Sequence, residues 1–250
     1  MNDAAFTRDA ILEGKFFVRQ PRRGYRFSID AVCLAFFVRA DGSERAADLG
    51  CGCGIIPLLL SHRFPGIRVW GVEKQVELAE LAARNIAENG LSDTLSCVCM
   101  DLRELPAGPV TPPFDLVVSN PPFHRTDSSR VSPDFQRAAA RHEIFANAGD
   151  VAAAAGRLLA KEGRLCLIYP ADRLPGCLDA MKKNGIRPAR LRMVHSRQGE
   201  EAELALVCGV KGERGELQTE GPLLLFDAPG VYSAEAAAMI AGKEFQAFPA

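Results

Sequence analysis

RAADLGCGCG, residues 45–54, decides the fold. A short apolar run, Arg45-Ala46-Ala47-Asp48-Leu49, breaks into Gly50-Cys51-Gly52-Cys53-Gly54, three glycines at alternate positions. Ile55 to Phe64 then reads as a helix whose Pro57 fits the first turn. Strand, tight turn and helix open a β/α unit. Glycine permits a sharp turn and puts no side chain between the backbone and a ligand, so this turn suits close approach to a bound molecule. The spacing is Gly-x-Gly-x-Gly, not Gly-x-Gly-x-x-Gly, and no Lys-Ser/Thr pair follows. A ligand without a pyrophosphate therefore fits better than a dinucleotide.

Working outward toward the C-terminus, further β/α units follow. Arg68 to Glu73 is a strand ending in an acid, and a carboxylate, being acceptor-only, suits ribose hydroxyls at such a position. A helix is predicted from Gln75 to Asn89, closed by Gly90, with Val76, Leu78, Ala79, Ala82, Ala83 and Ile86 as its apolar face. Thr94 to Asp101 is a third strand, again ending in an acid, with Cys97 and Cys99 on one face. After a Pro/Gly-rich connector comes FDLVVSNPPF, residues 114–123. Its first half is a strand buried on both faces. Two prolines then end regular pairing and leave a stiff corner past a carboxyl strand end, where open α/β sheets bind ligands. There the Asn120 side-chain oxygen and the Pro121 carbonyl offer two acceptors for the hydrogens of an exocyclic amine, Pro122 stiffens the corner, and Phe123 can stack on the ring that bears the amine. His124 to Arg130 reads as a polar loop, either a lid or substrate loop or an ordinary surface loop, with His124 in a positioning or solvent role. A helix from Asp150 to Lys161, a strand from Gly163 to Pro170 and a helix from Leu174 to Lys183 come next. Residues 190–195 and 202–210 are two strands whose link is too short for a helical crossover, so they pair antiparallel. The tail holds a strand at Leu223 to Phe226, a turn, and a helix from Ala234 to Ala241.

Toward the N-terminus, residues 1–30 read as a β-hairpin extension. Ile11 to Val18 and Tyr25 to Phe27 are its strands, and Arg19, Arg22 and Arg23 ride on the turn between them as candidate phosphate contacts. Ser28 or Asp30 caps the helix that follows. Over 250 residues, 30 Lys and Arg balance 31 Asp and Glu, so any nucleic-acid surface is local. The eight cysteines lack metal-ligand spacing and no basic-then-apolar leader precedes them, which predicts reduced thiols, no metal and a cytoplasmic protein. No apolar run is long enough to span a membrane.

Asp48 to Gly54, Glu73, Asp101 and Asn120-Pro121-Pro122-Phe123 stand in the order and spacing of class I S-adenosylmethionine-dependent methyltransferases, which the chain resembles over about residues 25–210. The resemblance implies an α/β, Rossmann-like fold: a seven-stranded, mostly parallel sheet with an antiparallel last strand and helices on both faces. It implies a methyltransferase domain over residues 31–250, S-adenosylmethionine as cofactor and S-adenosylhomocysteine as product. It places cofactor contacts at Asp30, Asp48, Gly50, Cys51, Gly52, Gly54, Glu73, Lys74, Asp101, Leu102 and Asn120. In this family the glycine loop wraps the methionine part of the cofactor, and the acid at Asp101 reads its adenine amine. Tyr25-Arg26-Phe27-Ser28-Ile29-Asp30-Ala31, Ala140-Arg141-His142-Glu143 and the Pro222-Leu223 and Tyr232-Ser233 tail are similar to the bacterial tRNA(Val) adenosine N6-methyltransferases. Phe123 with His124 departs from the aromatic pair usual there and also resembles ribosomal RNA guanine-N2 methyltransferases. Adenine N6 in a tRNA anticodon loop is the leading target; guanine N2 in ribosomal RNA, a protein glutamine amide, and a non-catalytic cofactor- or RNA-binding module stay open. The implied partner is RNA, tRNA foremost, touched by Arg19, Arg22, Arg23, Arg125 and Arg197; monomer and homodimer are both open.

Overall fold

A computed structural model describes residues 5–22, 26–121, 147–212 and 216–245. Alternate strand residues sort into two apolar layers. In β3 (Arg45–Leu49) Ala46 faces one layer and Ala47 the other. In β6 (Phe114–Ser119) Leu116 and Val118 oppose Val117, and in β7 (Leu159–Pro170) Cys166 and Ile168 oppose Leu165 and Leu167. This period of two, apolar on both sides, marks a sheet covered on both faces. One layer is filled from α1 (Ile29–Phe37), α2 (Ile55–Arg63) and α3 (Val76–Glu88). The other is filled from α4 (Ala148–Leu158) and α5 (Leu174–Lys183).

With β4 (Arg68–Glu73), β5 (Leu95–Cys99), β8 (Ile186–His195) and β9 (Ala202–Lys211), the main sheet runs β5-β4-β3-β6-β7-β9-β8. The first five strands are parallel to one another, and β9 lies antiparallel between β7 and β8. Two-residue strands, β10 (Gln218–Thr219) and β11 (Leu223–Leu224), extend the outer side of β8. The predicted seven-stranded sheet is thus present and widened by the tail. After β3 the chain steps outward to β4 and β5, then returns to pair β6 on the other side of β3. That reversal is the switch point at which such sheets leave a crevice.

The N-terminal hairpin differs from expectation. Its strands are β1 (Phe6–Ile11) and β2 (Phe16–Pro21), and the turn falls at Leu12 to Lys15, where Leu12, Glu13 and Gly14 all take left-handed φ. Arg19 therefore sits within β2 rather than at a tip; Arg23 and Tyr25 lie outside the described residues. The reason is on α3. Asn89 accepts the Phe17 N–H and donates to the Phe17 carbonyl, at 2.9 and 2.7 Å. One helical turn away, Asn85 does the same for Arg19, at 2.8 and 2.9 Å. Two amides at i and i+4 meet two outward-facing residues at i and i+2 of a strand, which fixes residues 16–21 as extended.

Other boundaries also move. Helix α4 stops at Leu158, because Leu159 turns extended and pairs with Phe114. On α3 the buried face includes Leu81 and Asn85, while Val76 and Ala83 face solvent. Ser28 holds the N-cap position of α1 without a side-chain bond, and Asp30 lies inside the first turn. The tail segment from Leu223 to Phe226 is not one strand: β11 joins β8, and β12 (Phe226–Ala228) pairs with β13 (Val231–Tyr232). Helix α6 (Ala234–Ile240) follows, capped by Ser233 accepting the Ala236 N–H. Among the described residues no helix is long and apolar enough to cross a membrane.

Candidate active site

The carboxyl ends of β5, β4, β3 and β6 are neighbours, so they bring Asp101 and Leu102, Glu73 and Lys74, Asp48 to Gly54, and Asn120 and Pro121 to one edge of the sheet. The glycine loop is tied down on its β4 side. Gly50 and Cys51 donate to the Val72 carbonyl at 2.8 and 3.1 Å, and Gly52 donates to Glu73 Oε2 at 3.0 Å. Gly50, Gly52 and Gly54 take φ of +81°, +56° and +83°, which a side chain would resist. The glycines differ in use. A Cβ on Gly50 would meet nothing within 4 Å, so Gly50 borders open space; a Cβ on Gly54 would lie 3.2 Å from the Ala82 side chain, so Gly54 lets the loop pack on α3.

The acids differ more. Asp48 is fully buried and neither of its carboxylate oxygens has a hydrogen-bond partner among the described residues. Burial first, and the nearby charge of Glu73 second, hold its carboxyl well above the usual range. Glu73 is 7% exposed, and its oxygens accept the N–H groups of Gly52 and Gln75, leaving lone pairs on each. Asp101 accepts from Arg103 Nε at 3.0 Å and from Lys74 Nζ at 3.0 Å. The Arg103 hydrogen bond foremost, with Lys74 beside it, holds this carboxyl below the usual range. Cys51 packs its Sγ 3.5 Å from Cys97 Sγ, and that contact together with burial pushes the Cys51 thiol well up. Gly71 makes the room: a Cβ there would sit 2.8 Å from Cys51 Sγ. Among the described residues no group of three His, Cys, Asp or Glu side chains is placed to hold a metal ion.

The corner after β6 is anchored by a residue that motif reading passes over. The β3–β6 ladder ends at the pair Asp48 and Val118. One residue further, the fully buried Ser119 donates its hydroxyl to the Leu49 carbonyl at 2.6 Å. A side chain thereby continues the ladder by one step and locks Gly50 and Asn120, the next residues on each strand, at a fixed separation. Asn120 is half-buried and Pro121 buried. Pro122, Phe123, His124 and Arg125 lie outside the described residues. Asp30 is buried in the first turn of α1, and its neighbours Ser28 and Ile29 line a cavity together with Ile55, the residue after Gly54.

Of the candidate RNA-contacting arginines among the described residues, Arg19 and Arg22 share the N-terminal hairpin and Arg197 lies apart from them. Arg19 pairs with Glu88 at 2.9 Å on the α3 side of the molecule. Arg22 donates its backbone N–H to Ala5, closing the hairpin. Arg197 pairs with Glu200 at 2.7 Å in the β8–β9 link, at the opposite end of the sheet.

The fold and this edge define a class, and comparison with known proteins agrees. A family model described as the methyltransferase small domain matches residues 30–172, and the chain belongs to that family. A Porphyromonas gingivalis protein named tRNA1(Val) (adenine(37)-N6)-methyltransferase is 36% identical over 166 residues, 64% of this chain and 64% of that protein. The chain thus spans less than two thirds of that relative's length. A Phocaeicola vulgatus protein of the same name is 29% identical over 193 residues, 77% of this chain and 80% of that one. Among solved structures, protein Atu636 from Agrobacterium tumefaciens, described as a predicted O-methyltransferase, matches with a TM-score of 0.69 over 88% of this chain and 100% of that one, at 23% identity. That last likeness is one of fold.

Proposed function

We propose that this protein is an S-adenosylmethionine-dependent N-methyltransferase acting on adenine N6 in a tRNA anticodon loop. The observation that carries the reading is the Ser119–Leu49 bond, which holds the Asn120-Pro121 corner beside a glycine loop that faces open space. The names of the relatives supply the target, and residues 1–30 are assigned to a substrate-side extension of a domain spanning 31–250. Within the chemistry, Asp48 fits the cofactor directly: a buried carboxylate without a partner suits a cationic amine, which the amino-acid end of that molecule carries. When bound, S-adenosylmethionine supplies a methyl carbon made electrophilic by its sulfonium.

The remaining steps belong to the chain. The Gly50 to Gly54 backbone and Asp48 hold the amino-acid end. Glu73 accepts ribose hydroxyls with the lone pairs left over from Gly52 and Gln75. Lys74, Asp101 and Leu102 frame the adenine end. Asn120 Oδ1 and the Pro121 carbonyl accept the two hydrogens of the target amine and turn its lone pair out of ring conjugation. The nitrogen becomes acidic only as it gains the methyl group, so its proton leaves to solvent without a strong base. Positioning supplies most of the rate. An anticodon-loop base is partly unstacked and costs little to extrude. A cytoplasmic setting follows from such a substrate.

The test uses cofactor with a tritiated methyl and total tRNA and ribosomal RNA from cells lacking the gene, digested to nucleosides. Label in N6-methyladenosine from one tRNA is expected. Label in N2-methylguanosine from ribosomal RNA would replace the target and keep the chemistry. Asn120→Ala is expected to abolish turnover while leaving cofactor affinity within a few-fold; turnover that survives would sink the role given to the corner.

A further inference from the structure

A cavity of about 500 Å³ lies mostly outside the stretch that the family model covers. The hairpin turn, the segment leading into α1, and the tail around α6 build its walls. Phe27 comes from the entry to α1, and Tyr232 and Ile240 from the tail. Ile55, the first residue of α2, also lines it and follows Gly54 directly, so the cavity abuts the glycine loop through one residue. Tyr232 is 44% exposed and Ile240 37%, which gives the mouth an apolar rim open to solvent. The Tyr232 ring is backed by Phe226, centroids 4.9 Å apart and planes 20° from parallel. Glu13, the carboxylate on the wall, is held by Lys243 at 2.8 Å. The Ser28 hydroxyl on the same wall makes no capping bond.

We propose that this cavity takes one unpaired nucleobase of the RNA substrate, a neighbour of the base that is methylated. The inference rests on the proposed RNA substrate and adds a second contact that selects it. Two aromatic rings with aliphatic walls and a hydroxyl suit a flat ring system with apolar faces and a polar edge. Proteins that read single-stranded RNA take splayed bases onto aromatic side chains in this way. The volume falls in the range of pockets that hold small organic groups. None of the described lining residues is a cation that would hold a phosphate, and the carboxylate of Glu13 would repel one. The location accounts for the appended segments: the hairpin and the tail, which lie outside the family match, meet beside the loop that serves the reaction.

The experiment measures methylation kinetics on a tRNA transcript and on transcripts with a single abasic site at each nucleotide flanking the target. Tyr232→Ala, which opens the pocket, and Ala237→Phe, which places a ring in it from an exposed position, are both expected to raise KM for RNA by about tenfold or more, with kcat and cofactor Kd unchanged. Tyr232→Phe is expected to behave as wild type. One abasic position should raise the wild-type KM by the same factor and add nothing in either variant. Variants with an unchanged KM, or no abasic position that matters, overturn the proposal. Failure of the underlying reading looks different, because wild type then methylates no RNA. In that event binding of a single-stranded oligonucleotide carrying 2-aminopurine decides: quenching that Ala237→Phe abolishes supports the pocket, and its absence overturns it.

Discussion

At the end of β3, Asp48 is buried, unpartnered among the described residues and held above the usual carboxylate range. Past the end of β5, Asp101 is half-buried, carries the exposed Arg103 and Lys74, and is held below that range. Asp48 is next to last in its parallel strand and Asp101 lies two residues past its own, and both sit along one proposed cofactor groove. Sheet position separates them. Strand β3 has β4 on one side and β6 on the other, so its end is roofed by the glycine loop and by the Ser119 corner. Strand β5 is the sheet's last, so its end meets solvent. The groove therefore has a dry end, where each polar group counts heavily, and a wet end, where water and neighbouring charges share the work.

The two acids also respond to pH in opposite senses. Asp48, raised in the folded state, contributes most stability below the unfolded carboxylate value of about 4 and loses it as pH rises through its folded value. Asp101, lowered in the folded state, contributes above about 4 and loses its contribution as pH falls toward its folded value.

The largest effect is expected at Asp48. Asp48→Asn should weaken cofactor binding on the order of 100-fold, since a buried charged hydrogen bond is lost. Wild-type affinity should rise with pH as Asp48 gives up its proton to pair with the amine, and the variant should lose that slope in calorimetric titrations. The same substitution should flatten the fall in folding stability above about pH 4. Next comes Ser119→Ala, expected to lower kcat about tenfold by leaving the Leu49 carbonyl unpaired and the corner loose, with cofactor Kd unchanged. Ser119→Thr, which keeps the hydroxyl, should recover most of the rate. Asp101→Ala, at the wet end, is expected to cost about fivefold or less in cofactor affinity, less still at high salt. Arg103→Ala should change affinity by less than about threefold in equilibrium dialysis. A cofactor Kd more sensitive to Asp101 than to Asp48 would invert the comparison and move the amine-binding role to the wet end.

Much of this was legible in the chain itself, for identifiable reasons. The strand ends could be read because parallel strands buried on both faces are short apolar runs, and β3, β4, β5 and β6 run into Gly50, Glu73, Asp101 and Asn120. The antiparallel position of β9 followed from a link too short for a crossover. Contacts between distant segments could not be read. Ser119 looks like the last polar residue of a strand, and only the approach of Leu49 reveals its task. Asn85 looks like part of a solvated helix face but is fully buried, tying Arg19 and the Cys53 carbonyl to α3. Val76 fits the apolar period of α3 yet is 59% exposed at the first position of the helix, while Leu78 and Leu81 further along are buried. The hairpin register escaped because its arginine-rich stretch resembles a turn, whereas amides 66 and 72 residues away hold it extended.

Those amides have a further consequence. A strand at the margin of a sheet normally presents bare N–H and C=O groups on which another molecule can template, which is one origin of aggregation. Asn85 and Asn89 cover the outward backbone of Arg19 and Phe17 with their own donors and acceptors, two for two. A helix thus closes the side of β2 that a further strand would otherwise take. On that side the added hairpin is already spoken for, so neither a neighbouring strand nor a second copy of the chain can pair onto β2 there.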